Sequence, residues 1–329
     1  MAKRHPKIGA RLKGTSGDKL PIALSDGTTH TLTLSLRDRP DVSSGLSEAR
    51  RITLVGVQGQ EASIRAGFRE GLHDFAERKL RMERRGDPSA RDISVLRAAA
   101  DASVRKSVRT ILGVIEDGVR ASVRREVKAH DAWMRGKGAD KVSDPVMETI
   151  LKEAVHTAIN VPFPGTKEST RDRLAREAYR ARKSYDGVIV ATGDDVRPAL
   201  QIAREKLYAS PSSGFSGGNI SKSVQRINRT EQSRALSGAA ASLAAHFGVK
   251  MGYWRLNPSH PNYGGGEVCE KIAAGVGPGV LEELDALGLL QTEMSIAGLY
   301  LYSAFPELPH PNCMCYQEFF VVGQRFGTG

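Results

Sequence analysis

Hydrophobic positions along the chain change period twice. Between residues 20 and 36 they alternate: Leu32, Leu34 and Leu36 are interleaved with Thr31, Thr33 and Ser35, and a shorter run, Leu20 to Ala23, faces them across Ser25-Asp26-Gly27. Alternation is the period of a half-buried strand and Asp-Gly is a hairpin turn, so a small β element is predicted. Ile52 to Val57, rich in β-branched residues, predicts a further strand. From about Gln60 to Arg85 the period becomes helical, with Ile64, Phe68, Leu72 and Phe75 on one face, and Gly86-Asp87-Pro88 ends it. A second helix is predicted from Ala90 to Trp133, because Ile93, Leu96, Val104, Val108, Ile111, Ile115, Val119 and Val123 keep that spacing. Two successive amphipathic helices bury each other's stripe most simply as an antiparallel hairpin.

Further along, residues 136–144 read as a loop and Pro145 to Ile159 as a helix. Val161-Pro-Phe-Pro-Gly165 reads as a rigid break. A helix with Arg171, Arg173, Arg176, Arg180 and Arg182 follows, then a short helix near Val196 to Tyr208. Residues 210–218, Ser-Pro-Ser-Ser-Gly-Phe-Ser-Gly-Gly, form the clearest linker, and the main boundary is expected there. Ile220 to about Gly248 is predicted helical, with a second half dominated by Ala, Ser and Gly. After Val249 the pattern turns to strands and turns: Met251 to Trp254, a loop over 257–266, and a final strand from Met314 to Val322. The fold class is therefore α+β, mostly α. A basic arm (1–19) leads to a long-helix body with a small N-terminal β element (20–210), and a compact C-terminal α+β module (219–329) closes the chain.

At 329 residues, with 40% hydrophobic and 26% charged, the composition is that of an ordinary globular protein. Net charge sharpens the picture. Residues 1–250 carry 45 Lys+Arg against 29 Asp+Glu, a net +16, whereas residues 251–329 carry 3 against 8, a net −5. A basic body points to a polyanion such as nucleic acid, and solvated, mixed-sign helix faces are the alternative. Only three cysteines are present, too few for a disulfide framework, so a reducing compartment is expected. The basic start Met1 to Lys7 runs into Ile8-Gly-Ala-Arg11 rather than an apolar segment, which argues against a secretory leader. No stretch reaches the roughly 20 apolar residues that cross a bilayer, so no membrane partner is expected.

All three cysteines, Cys269, Cys313 and Cys315, lie in the acidic last quarter together with His260 and His310. Thiolate and imidazole are the soft ligand set of tetrahedral zinc. In His310-Pro-Asn-Cys313-Met-Cys315 a turn at Pro311-Asn312 can swing His310 back, while two cysteines two apart on a strand share one face. Cys269 would be the distant ligand, with His260 the alternative fourth. Two readings stand: a structural metal site, or small buried residues at a tight turn. For catalysis, Glu267 and Glu270 are the nearby acids, and Cys313 with His310 is the one thiol nucleophile pair in reach. There is no phosphate-binding Walker loop and no His-Glu-x-x-His. His73, His130, His156 and His246 stand singly in predicted helices.

The segment Ile220 to Tyr316 resembles the Mu F-like minor head proteins of tailed bacteriophages, the head-morphogenesis family. The similarity lies in Arg229-Thr230-Glu231 with Arg234 opening a small-residue helix, Trp254 on the next strand, Val268-Cys269-Glu270, and the ending Pro309-His310-Pro311-Asn312-Cys313-Met314-Cys315. Family members often carry Cys-x-x-Cys after the tryptophan strand. Here Cys269 stands alone, and His260-Pro261-Asn262 with Gly277-Pro278-Gly279 is closer to a subgroup. The resemblance implies a non-enzymatic virion component of the head interior or portal vertex, present in host cytoplasm during assembly. Its partners would be the portal protein, the major capsid protein and double-stranded DNA during packaging or ejection. It also implies an internal brace in which Arg229 and Glu231, with Trp254, tie the helix to the Cys/His end. The competing class is a metal-dependent nuclease or other effector domain with His260, Asn262 and His310 at a metal; an ADP-ribosyl transferase-like domain is a third.

Overall fold

In the computed structural model the described residues are 18–23, 29–34, 44–86, 89–163, 166–209, 219–256, 266–289, 296–304, 313 and 315–321. The chain is mostly α-helical with a small antiparallel sheet, as the pattern predicts. Strands β1 (Asp18–Ala23) and β2 (Thr29–Leu34) pair antiparallel with Leu20 opposite Leu32, which is the predicted hairpin. Of the expected basic arm, only Asp18 and Lys19 are described, and they open β1. Helices α1 (Ser44–Glu83), α2 (Ala90–Arg135), α3 (Asp144–Asn160), α4 (Thr170–Ser184), α5 (Asp186–Val190), α6 (Val196–Leu207) and α7 (Ile220–His246) follow. After them come β3 (Met251–Arg255), α8 (Gly266–Ala274), α9 (Val280–Ala286), β4 (Leu299–Leu301) and β5 (Tyr316–Phe319).

One predicted strand is absent. Ile52 to Val57 lies inside α1, where Thr53 and Val57 are buried while Ile52 and Val55 are exposed. Burial four residues apart is the helical period. The intrinsic cost of a β-branched residue in a helix is at most about 0.7 kcal/mol, small beside the burial of a long stripe. The three short elements α8, α9 and β4 are also new relative to the sequence reading.

Two compact units form. The first comprises residues 51–124 and 151–235, the second residues 1–50, 125–150 and 236–329. The linker over 210–218 therefore joins two elements of one unit, α6 and the start of α7, instead of separating a body from a module; the linker itself lies outside the described residues. The reason is polar packing of α7 on α1 and α2, set out below.

In the first unit the predicted stripes are the core. Ile64, Phe68, Leu72 and Phe75 of α1 are buried, and so are Leu96, Val104, Ile111, Ile115, Val119 and Val123 of α2. The Oγ of Ser107 donates to the Gly67 carbonyl (3.0 Å) and that of Ser103 to the Gly71 carbonyl (2.8 Å), so α2 descends as α1 rises. This is the expected antiparallel hairpin. Helix α4 begins with a capping box. Asp172 N donates to Ser169 Oγ, while Ser169 donates both its hydroxyl and its N–H to Asp172 Oδ2, and these two donations to the carboxylate, side chain first, hold the Asp172 carboxyl below its ordinary range. Its arginines are largely neutralised: Arg173 meets Glu231, Arg176 Glu168, Arg180 Glu177, and Arg182 both Asp101 and Asp186.

In the second unit β3 is the centre of the sheet β4-β3-β5, antiparallel to both neighbours, and every one of its residues is buried. Met251 and Tyr253 pack with Val280 and Leu284 of α9, Ile296, Leu299 and Phe320. On β5, Phe319 meets the rings of His130, Trp133, Phe247 and Tyr302. Gly252 permits this crowding, since a Cβ there would stand 2.7 Å from the Tyr302 hydroxyl and 2.8 Å from the Glu318 carbonyl. Arg255 and Glu318 form a buried ion pair between β3 and β5, with the guanidinium 4.5 Å from the centre of the Tyr253 ring. Among the described residues no helix is long and apolar enough to cross a membrane.

Gly71 tests the helix hairpin. A Cβ there would meet the Ser103 and Ser107 hydroxyl oxygens at 2.6 and 2.9 Å. Intrinsic propensity alone makes Gly→Ala in a helix stabilising by about 1 kcal/mol. Overpacking reverses the sign, so Gly71→Ala is expected to lower stability by about 1–3 kcal/mol in urea denaturation. A stabilised variant would mean that the two helices are not in this close contact.

Candidate metal centre and the α7 brace

The cysteines reach one another from two separate segments. Cys269 sits on α8 with its side chain turned inward, fully buried, while its neighbours Glu267, Val268 and Glu270 face solvent. Cys313 and Cys315 lie immediately ahead of β5. Both are buried, at 0 and 1% exposure. The three Sγ atoms all lie within 4.8 Å of one another, with Cys269 and Cys313 at 3.5 Å. None of the three is in a disulfide.

The charges are arranged against thiolates unless a cation is present. For Cys269 the hydrogen bond with Cys313 favours the thiolate, but Cys315, burial and the nearby Glu270 outweigh it, and the thiol is pushed up to about 12. For Cys313 every influence has the same sign: its hydrogen bonds with Cys269 and Cys315, then burial, then the neighbouring sulfur charges all push the thiol up. A divalent cation among them inverts this logic, because each thiolate would then face a positive charge. The size fits. With Zn–S bonds of 2.3 Å, tetrahedral ligands stand about 3.8 Å apart, inside the observed spread. His260 and His310, the expected imidazole ligands, lie outside the described residues, as does Asn262.

Trp254 is buried on β3, and a short backbone relay joins it to the cysteine helix. Its N–H donates to the Gly298 carbonyl (2.7 Å), and Gly298 N–H donates to Gly275 at the end of α8 (2.6 Å). Gly298 takes a left-handed conformation (φ 79°), and a Cβ there would press at 3.0 Å on the carbonyls of Ala273 and Trp254. Glycine is required at that crossing.

The expected Arg229–Glu231 pair is corrected. Positions two apart on a helix point about 200° away from each other, and each residue has its own partner in the first unit. Arg229 pairs with Glu61 of α1 at 3.1 Å. Glu231, fully buried, takes Arg173 of α4 at 3.0 Å and Arg234 at 3.3 Å, and Arg234 also donates to the Val161 carbonyl. The brace therefore fastens α7 to α1 and α4, not to the cysteine end.

Around it lies a network the sequence reading missed. Gln60 Oε1 accepts from Asn228 (3.0 Å) and from Gln232; Gln232 also donates to Asn228 (3.1 Å) and accepts from Ser122 of α2 (2.8 Å). Gln225 donates to the Glu61 carbonyl and to Ser221. The available signal was the spacing of three and then four residues between the amides Gln225, Asn228 and Gln232 on a predicted helix.

Comparison with known protein families, characterised proteins and solved structures finds no match.

Burial, offset by Arg234, Thr170 and Arg173, raises the Glu231 carboxyl above its ordinary 4.5. A raised pKa means the folded state holds the proton more tightly than the unfolded chain. The stability linked to it is complete below pH 4.5 and is lost as pH rises through the raised value. Glu231→Gln cannot titrate, so between pH 4 and 7 its urea midpoint should decline less than that of the wild type. Equal declines would remove Glu231 from the titrating groups.

Proposed function

We propose that the chain is a structural, non-enzymatic minor head protein of a tailed bacteriophage. In this reading its C-terminal segment is pinned by a zinc ion on Cys269, Cys313 and Cys315, with His310 or His260 completing the set. The observation that carries the reading is the convergence of three buried sulfurs from α8 and the approach to β5, within 4.8 Å. These cysteines belong to the segments on which the resemblance to the Mu F-like family rests. A closed, buried thiol set is what a structural zinc uses, whereas a catalytic zinc keeps a position open to substrate. In this role the ion stabilises the fold and activates nothing.

The head-protein reading supplies the partners: portal protein, major capsid protein and double-stranded DNA inside the virion head or at its portal vertex, after assembly in host cytoplasm. The basic stretch of residues 1–250 is consistent with life beside packaged DNA. The nuclease alternative is less well supported. The net −5 of residues 251–329 repels phosphate, and Glu267 and Glu270 are exposed while the sulfurs are buried.

Protein purified without chelator is expected to contain about one zinc per chain by elemental analysis. Cys313→Ser should lose it, and chelator should lower the melting temperature of the wild type but not of that variant. Metal-free wild type with unchanged melting would leave only the buried-thiol reading. For the assembly role, co-expression with the portal protein should give a complex on size exclusion; separate elution at micromolar concentrations would overturn it. Metal-dependent plasmid nicking that is lost in His310→Ala would support the effector alternative instead.

A further inference from the structure

The first unit contains a basic trough that neither the metal centre nor the α7 brace uses. Two adjoining recesses of about 440 and 760 Å³ run along α1, α6 and the first turn of α7, sharing Arg69, Arg204 and Tyr208. Arg197 lines one, and Arg65 and Lys222 line the other. Neither recess has an acidic side chain in its wall.

Three observations separate this trough from an ordinary solvated helix face. First, Arg65 and Arg69 stand one helical turn apart on α1, and Arg197 and Arg204 stand two turns apart on α6, so the cations form rows facing a common space. Second, all five are exposed, and among the described residues none of Arg69, Arg197, Arg204 or Lys222 makes an ion pair. The arginines of α4, by contrast, are paired with carboxylates. Of the acids on these helices, Glu61 holds Arg229 at 3.1 Å, and Glu205 accepts from Gln201 at 2.7 Å. Third, the joining segment 210–218 contains no charged residue, so it brings no carboxylate to neutralise the trough. Exposed guanidinium groups such as Arg69, Arg197 and Arg204, without an ion pair among the described residues, are suited to a partner carrying regularly spaced negative charge. Guanidinium matches phosphate in a two-pronged geometry.

We propose that this trough is the DNA contact of the protein, holding one phosphodiester backbone of a double helix through Arg69, Arg204, Arg197 and Lys222. The choice of duplex DNA rests on the head-protein reading; the trough itself rests on geometry and charge. Contact is to phosphate, so it is independent of base sequence.

The test uses the full chain and a fluorescent 30-base-pair duplex of arbitrary sequence, titrated from 50 to 200 mM NaCl. The wild type is expected to bind with an affinity that falls steeply with salt. Arg69→Ala/Arg204→Ala should bind roughly 10–100-fold more weakly at 0.1 M salt and flatten the log–log salt slope by about 2, the release expected for two lost phosphate contacts. Arg69→Lys/Arg204→Lys should retain most binding. The control Arg97→Ala/Arg120→Ala changes net charge equally at exposed sites on α2 outside the trough and should leave binding unchanged. Circular dichroism verifies that each variant is folded. Equal losses in the trough and control variants would overturn the site in favour of diffuse charge. A wild type that ignores DNA at 50 mM salt would overturn it outright, while portal association, measured separately, would still stand or fall by itself. DNA binding through the trough without portal association would keep this site and remove the head-protein reading.

Discussion

The first half of α7 buries Ile220, Val224 and Ile227 together with a larger set of polar side chains. Ser221, Gln225, Asn228, Thr230, Glu231 and Gln232 are all at 5% exposure or less, and Glu231 is fully enclosed. An apolar face tolerates sliding, because one methyl group replaces another at little cost. A face of amides and one carboxylate does not, since each group displaced from its partner leaves an unpaired buried dipole or charge costing about 1–3 kcal/mol or more. Gln60 of α1, Ser122 of α2 and Arg173 of α4 are therefore a set of fixed registers. They define where α7 lies within its unit, and the trough along α1, α6 and the start of α7 inherits that definition.

The C-terminal sheet is held by a different kind of constraint. β3 carries almost everything: two antiparallel neighbours, the Met251 and Tyr253 side packed on α9, and the buried Arg255–Glu318 pair toward β5. Trp254 reaches α8 through Gly298 backbone hydrogen bonds, which places the cysteine helix against the strand without relying on any side chain of that helix. The sulfurs then meet at a place already framed by main-chain contacts, a favourable arrangement for a site whose ligands must not move.

What the sequence revealed followed from periodicity. The stripes of α1 and α2 run for many turns, and Ile64 to Phe75 and Leu96 to Val123 allow no other phase. The convergence of the three cysteines was legible because Cys313 and Cys315 share a parity and one partner remained. Ile52 to Val57 was misread because β-branched content imitates a strand, whereas burial of Thr53 with Val57 depends on a neighbour that local pattern does not contain. Helices α8 and α9, nine and seven residues long, offer too few turns for a period to stand out, and glycines flank both. Arg229 and Glu231 looked like a pair in the linear text, but their true partners, Glu61 and Arg173, come from distant segments. The amide network was hidden for the same reason.

The order of pairing in the sheet bears on how the chain finds its fold. Gly252 opposes Phe319, so closing that ladder demands a long search through chain space, the slow kind of contact for a folding polypeptide. Cys269 and Cys313 are 44 positions apart and enclose α9 and β4 between them. Drawing those sulfurs together would bring the last strand close to β3, and the shorter loop then left to close would cost less entropy.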